Sequence, residues 1–235
     1  MSGPVVPGRS NRRDLGRHLL GSSAFAARIV AEAGIEPTDL VFDVGAGTGT
    51  LTAALAARGA HVVAIEIDAA LAAGLTRRFA DARNVVVFTC DAIGFPLPST
   101  PYRVVANPPF NRTSALLHHL LDDPAGGLVR ADLVVQWQVA RARAQVGVDA
   151  PLDLVGAAWA PWWSFRRGRR LPAPLFRPAP SVDAAILTVT RREPALLSES
   201  HAVRYAEFVR EWFAAAPRSL SVDDWILRFN RVRPR

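Results

Sequence analysis

The sequence predicts an α/β fold: a parallel sheet with helices on both faces. Two observations carry this expectation. Short apolar runs of strand length alternate with amphipathic stretches of helix length over most of the chain. A glycine-rich loop also falls between the first run and the helix behind it, where such folds bind ligands.

The elements follow in order. Residues 1–17 are rich in Gly, Pro, Ser and Arg and read as a flexible basic arm. Apolar residues at helical spacing (Phe25, Ile29, Val30, Ala33) predict a helix over 22–33, capped by Ser22 or Ser23 and stopped by Gly34. Strands are expected at 40–44, 61–67, 84–89, 102–106 and 132–137. The helices between and after them fall at 50–58, 69–79, 113–121 and 139–144. After Pro151 the rhythm changes. A helix is expected over 152–160 and strands at 162–165 and 184–189, joined by an Arg- and Pro-rich loop at 166–181 whose length points to a function. Helices at 199–214 and 222–231 close the chain.

Half of the 235 residues are hydrophobic, enough for one cored domain with a small appendage. No apolar run is long enough to span a bilayer, and the N-terminus shows no secretory signal. Cys90 is the one cysteine, which excludes a disulfide framework and a cysteine-rich metal site and fits a reducing cytoplasm. Net charge is +7, and all 28 basic residues are arginine. Arginine presents a planar fork of donors to phosphate and stacks on bases, so the excess favours a polyanionic partner such as nucleic acid.

Asp43-Val44-Gly45-Ala46-Gly47-Thr48-Gly49 joins a strand to a helix. Glycines there let the backbone turn tightly and approach a ligand. The spacing differs from the pyrophosphate-binding G-x-G-x-x-G, and an acid in front would repel a pyrophosphate while tolerating a cationic amino-acid moiety. Glu66 ends the second strand, where a carboxylate can accept from both ribose hydroxyls of a nucleoside cofactor. Asp91 follows the third strand and can accept from an adenine amine.

Asn107-Pro108-Pro109-Phe110 follows the fourth strand. The prolines fix a rigid turn. The exocyclic amine of adenine is a poor nucleophile because its lone pair is delocalised into the ring. The Asn107 side-chain oxygen and the Pro108 carbonyl can accept its two hydrogens and localise that pair. Phe110 can stack on the base, worth about 1–3 kcal/mol.

At these residues the chain resembles the rRNA adenine N6-dimethyltransferases, and within them the erythromycin-resistance (Erm-type) methylases of actinobacteria. The resemblance covers roughly residues 14–190. It rests on Arg17-His18-Leu19-Leu20, the glycine loop, Glu66, Asp91-Ala92, Asn107 to Phe110, and Phe176-Arg177-Pro178-Ala179-Pro180-Ser181-Val182-Asp183. Arg17 and Leu19 depart from the Gln and Phe usual in the family.

The resemblance implies a class I S-adenosylmethionine-dependent methyltransferase fold: Rossmann-like, a mostly parallel seven-stranded sheet with a final antiparallel strand and a small helical C-terminal appendage. It implies S-adenosyl-L-methionine as cofactor, with contacts from His18, Leu20, Gly45, Gly47, Glu66, Asp91, Ala92 and Asn107. Arg17 could pair bidentately with the cofactor carboxylate. Phe110 and Phe176 would hold a flipped adenine between them. The implied reaction is N6-methylation of an adenine in 23S rRNA, with macrolide-lincosamide-streptogramin B resistance as its consequence. The alternatives are a 16S rRNA dimethyltransferase of ribosome assembly, a DNA adenine methylase, or a non-catalytic RNA-binding factor.

Trp159, Trp162, Trp163 and Phe165 lead into Arg166, Arg167, Arg169 and Arg170. The arginines are expected to meet RNA phosphates, as are Arg12 and Arg13 on the arm, while at least two of the tryptophans are expected in the core. His118 and His119 lack partners at metal spacing and read as ordinary helix residues. The expected organisation is an arm (1–17), a catalytic domain (18–190) and a helical RNA-binding appendage (191–235), in a cytoplasmic monomer without metal or membrane partner.

Overall fold

The computed structural model describes residues 18–144, 152–217 and 220–232. A two-residue strand, β1 (Leu19–Leu20), leads into α1 (Ser23–Ala33). Ser22 caps that helix by accepting from the Phe25 amide at 3.1 Å, and Gly34 ends it in the left-handed conformation. The alternation follows: β2 (Leu40–Val44), α2 (Thr50–Ala56), β3 (His61–Glu66), α3 (Ala69–Arg78), β4 (Val85–Thr89), β5 (Tyr102–Ala106), α4 (Thr113–Leu121), β6 (Leu128–Gln136) and α5 (Trp137–Arg143). The last part comprises α6 (Leu154–Trp159), β7 (Trp163–Leu171), β8 (Phe176–Arg177), β9 (Ala184–Arg191), α7 (Ala202–Trp212) and α8 (Val222–Val232).

Seven strands form one sheet in the order β4-β3-β2-β5-β6-β9-β7. The first five run parallel, and β9 is antiparallel to both β6 and β7. Alternation along the strands sorts the core. Val41, Val62 and Ala64 face α1, α2 and α3, whereas Phe42, Val44 and Ile65 face a larger cluster with α4, α6, α7 and α8. Tyr205, Phe208, Trp225 and Phe229 of the last two helices join that larger cluster. The chain therefore has the class I methyltransferase fold, with helices at its C-terminal end. Among the described residues no helix is long and apolar enough to cross a membrane.

The expected loop at 166–181 is corrected. Its first six residues continue β7, because Arg166, Arg167, Arg170 and Leu171 pair with β9 and the backbone ladder outweighs the polarity of the side chains. The rest is a 3₁₀ turn, Ala173–Leu175, followed by β8. β8 pairs with β1, matching Leu20 with Phe176. Trp159, Trp162 and Trp163 are all buried. Their indole N–H groups donate to Asp122, the Leu197 carbonyl and the Leu121 carbonyl at 2.8, 2.9 and 3.1 Å.

Candidate active site

The carboxyl ends of β2, β3 and β5, with the loop after β4, surround a cleft. His18, Gly45, Gly47, Glu66, Asp91, Ala92 and Asn107, all singled out in the sequence, line it together.

The glycine loop is strapped to β3. The Gly45 and Ala46 amides both donate to the Ile65 carbonyl, at 2.9 and 3.1 Å. Gly45 and Gly47 take φ of 74° and 57°, which favours glycine, and a Cβ on Gly45 would press on Pro109 of the tetrapeptide at 3.3 Å. The loop and the tetrapeptide are thus packed against each other.

Glu66 is 3% exposed and organises the loop. Its Oε2 accepts from the Gly47 amide at 2.9 Å and its Oε1 from the Asp68 amide at 2.8 Å. Asp91 sits at the cleft's rim, with one oxygen accepting from the Ile93 amide at 2.9 Å and the other from Arg112 at 2.5 Å. The Ile93 amide, then Arg112, hold its carboxyl below the usual carboxylate range.

Asn107 joins the tetrapeptide to the N-terminal strand by donating from Nδ2 to the His18 carbonyl at 2.6 Å. Its Oδ1 is buried and has no hydrogen-bond partner among the described residues. A buried acceptor without a donor is costly, so this atom is open to a donor from beyond the described residues, such as a bound amine. Glycine backbone open to close approach, a buried carboxylate at a strand end and this orphaned acceptor make a donor and acceptor set that fits a nucleoside cofactor and an amine substrate.

Several expectations need correction. Asp43 does not face the cleft: it is 1% exposed and accepts from the Thr52 hydroxyl at 2.6 Å, on the α2 side of the sheet. Burial pushes its carboxyl up from 3.8 to about 7, with the Glu66 charge adding to the rise and the Thr52 bond opposing it. The Leu20 side chain packs in the core, opposite Phe176 in the β1–β8 pair, and Leu19 lines the cleft instead. Phe110 and Phe176 do not stand as parallel faces. Their rings meet edge to face, with centroids 6.4 Å apart and planes at 70°. Phe176 is fully buried and also packs on Phe25, while Phe110 leans on His18.

The expected RNA-facing arginines divide. Arg169 pairs with Glu32 at 3.3 Å, Arg170 pairs with Asp183 at 2.6 Å, and Arg166 is exposed. Arg12, Arg13 and Arg17 lie outside the described residues. His118 and His119 are taken up by Asp122 and the Phe95 carbonyl. Among the described residues no group of His, Cys, Asp and Glu is placed to hold a metal ion. Sequence reasoning missed Arg112 and the Asn107–His18 bond. Arg112 left a signal, a charged residue two positions beyond the tetrapeptide. The bond left none, since it joins residues 89 apart.

Asp43 carries a testable consequence. Its folded pKa lies above the unfolded value, so the proton it holds stabilises the fold fully below about pH 4, and that contribution is lost as pH rises through about 7. Asn keeps an acceptor for Thr52 and carries no charge. The melting temperature of Asp43→Asn relative to the parent will therefore rise between pH 4 and 7 and level off above, by at most about 4 kcal/mol in stability. A difference that stays flat across that range would refute the buried-carboxyl account.

Comparison with known proteins gives the family. Residues 8–224 match the family model described as ribosomal RNA adenine dimethylase. An rRNA adenine N-6-methyltransferase of Corynebacterium diphtheriae is 42% identical over 64% of this chain, and the match spans 57% of that relative's length. Mycinamicin-resistance protein MyrB of Micromonospora griseorubida is 35% identical over 97% of this chain and 75% of its own. Ribosomal RNA small subunit methyltransferase A of Synechococcus sp. (strain JA-3-3Ab) is 33% identical over 89% of this chain and 77% of its own. The crystal structure of 23S rRNA methyltransferase ErmE superposes with a TM-score of 0.75 at 28% identity, over 89% of this chain and 84% of that one. The chain belongs to the ribosomal RNA adenine dimethylase family, enzymes that use S-adenosylmethionine as methyl donor.

Proposed function

We propose that the chain methylates the N6 amine of an adenine in 23S rRNA and so confers macrolide-lincosamide-streptogramin B resistance. The observation that carries the amine chemistry is Asn107 Oδ1 at the cleft, buried and without a hydrogen-bond partner among the described residues. The choice of large-subunit RNA is supported by the likeness to MyrB over nearly the whole chain and to ErmE in structure.

S-adenosylmethionine, when bound, supplies an electrophilic methyl on a sulfonium. Gly45 and Gly47 leave room for it along the loop backbone, Glu66 takes the ribose hydroxyls, and Asp91 and Ala92 take the adenine end. Asn107 Oδ1 and the Pro108 carbonyl accept the two N–H groups of the target amine, which localises its lone pair towards the methyl. The amine so held would take that methyl on nitrogen, with the electron pair of the broken carbon–sulfur bond left on sulfur and the extra proton passing to water. Positioning and preset dipoles supply the acceleration, so no strong base is needed. Phe110 faces the base, and the Phe110–Phe176 contact opens to admit it. Arg17 pairs with the cofactor carboxylate, and the arm with Arg12 and Arg13, the strand arginines and the C-terminal helical part at 191–235 complete the RNA-binding surface of a cytoplasmic monomer.

The test combines purified protein, methyl-labelled S-adenosylmethionine and separate naked large- and small-subunit rRNAs, with primer extension to locate the modified adenine. Label confined to large-subunit RNA supports this reading. Label only in small-subunit RNA would move the protein to the housekeeping role that its likeness to the Synechococcus enzyme favours. Cofactor binding with no label in either RNA would leave a non-catalytic RNA-binding factor.

A further inference from the structure

Trp137 opens α5 at the carboxyl end of β6, next to the strand whose carboxyl end carries Asn107. Two guanidinium groups lie over its indole: Arg167 at 4.5 Å from the ring centroid and Arg170 at 5.3 Å. In a regular strand, residues 167 and 170 would point to opposite faces. Pairing between β7 and β9 slips between Arg167 and Arg170, and this bulge turns both side chains to the face that holds Trp137.

Asp183 fixes the group from behind. Its carboxylate accepts from Arg170 Nε at 2.6 Å and from the Ala173 amide at 3.0 Å, and its carbonyl accepts from the Trp137 amide at 2.9 Å. Ala173 begins the turn that leads to Phe176. One acid thus holds the aromatic ring, one guanidinium and the segment that enters the target-base site. The Arg170 side chain stays 62% exposed, and Arg166 beside it is exposed as well. Arg169, one position away, points elsewhere, to Glu32 and over the Phe25 ring at 5.9 Å.

We propose that Trp137, Arg167 and Arg170 form a subsite that grips the phosphodiester backbone of single-stranded RNA next to the adenine undergoing methylation. A guanidinium stacked on an aromatic face is held in one plane, while its edge N–H groups stay free for bidentate contact with a phosphate. Extruding a base splays the strand around it, and a rigid cationic platform beside the pocket holds that unstacked geometry. Arg169 takes no part in the contact. The inference rests on the RNA-substrate reading and assigns a role to three named residues within it.

The test measures binding of a fluorescent single-stranded RNA, without cofactor and without turnover, across a salt series. The double variant Arg167→Ala/Arg170→Ala is expected to weaken binding about 10- to 100-fold and to lower the salt slope by about 1.4, the value for two phosphate contacts on a single strand. S-adenosylmethionine binding and the melting temperature stay unchanged. Arg167→Lys/Arg170→Lys is expected to restore the slope but only part of the affinity, because a lysine ammonium is a point charge without the planar fork. Arg77→Ala, a surface arginine of α3, serves as the charge control. An unchanged slope in the double alanine variant, or a loss no greater than that of the control, would overturn the subsite. Equal affinity for duplex DNA of the same length would overturn its single-strand character. Weakened RNA binding together with no methylation of any rRNA would retain the subsite and reject the enzymatic reading.

Discussion

Asn107→Ala will lower kcat for adenine methylation by about 100- to 1000-fold, the scale on which removal of one preorganised hydrogen-bonding group acts on a developing charge. Two functions leave with the side chain. Oδ1, buried and without a hydrogen-bond partner among the described residues, is the acceptor open to the target amine, and Nδ2 holds the His18 carbonyl at 2.6 Å. Loss of the second bond loosens the N-terminal strand over the cleft, so KM for S-adenosylmethionine rises as well, by about 2- to 10-fold for one neutral hydrogen bond. The split identifies the role. A purely structural asparagine would raise KM and lower the melting temperature with kcat little changed. Steady-state kinetics and thermal melting on the same preparation decide between them, and a kcat within tenfold of the parent would remove Asn107 from the chemistry.

Glu66→Ala acts through the other partner. The carboxylate accepts from the Gly47 and Asp68 amides and is 3% exposed. Truncation leaves both amides without this acceptor and frees the glycine loop from the strand end that shapes it. Titration calorimetry is expected to show S-adenosylmethionine affinity reduced at least 100-fold. Two charge-assisted bonds of about 1.5–3 kcal/mol each are worth that much or more. Glu66→Gln does not rescue it, because an amide places an N–H against one of two N–H donors. Affinity within tenfold of the parent in the alanine variant would show that the loop holds its shape and its cofactor without Glu66.

Periodicity and spacing revealed the sheet and most of the cleft in the sequence for a physical reason. β2, β3, β5 and α4 are regular elements whose apolar pattern follows from one-sided or two-sided burial, and the glycine loop and the rigid tetrapeptide are local in sequence. What escaped was either too short for a period or made by pairing at a distance. β1 and β8 have two residues each and exist because each supplies the other's backbone partners. The extension of β7 through four arginines was hidden because an edge strand draws its stability from the ladder to β9 while its side chains reach solvent. Asp43 misled for a related reason. Its place before the glycines was legible, but whether the carboxylate turned to the cleft or to Thr52 depended on strand alternation and on where α2 settled.

The β1–β8 pair also bears on the order in which the protein is made. The glycine loop, Glu66 and the tetrapeptide leave the ribosome before residue 176, together with the His18 segment that closes over them. That segment's own partners, Phe176, Arg177 and the Pro178 carbonyl bonded to His18, are up to 160 residues downstream. A nascent chain that already holds the whole tetrapeptide still has an open N-terminal edge, and the cleft closes only when the far end of the sheet arrives. Competence is thereby deferred until residues 176–178 have been made, so a chain cut before them carries the glycine loop, Glu66 and the tetrapeptide without their seal.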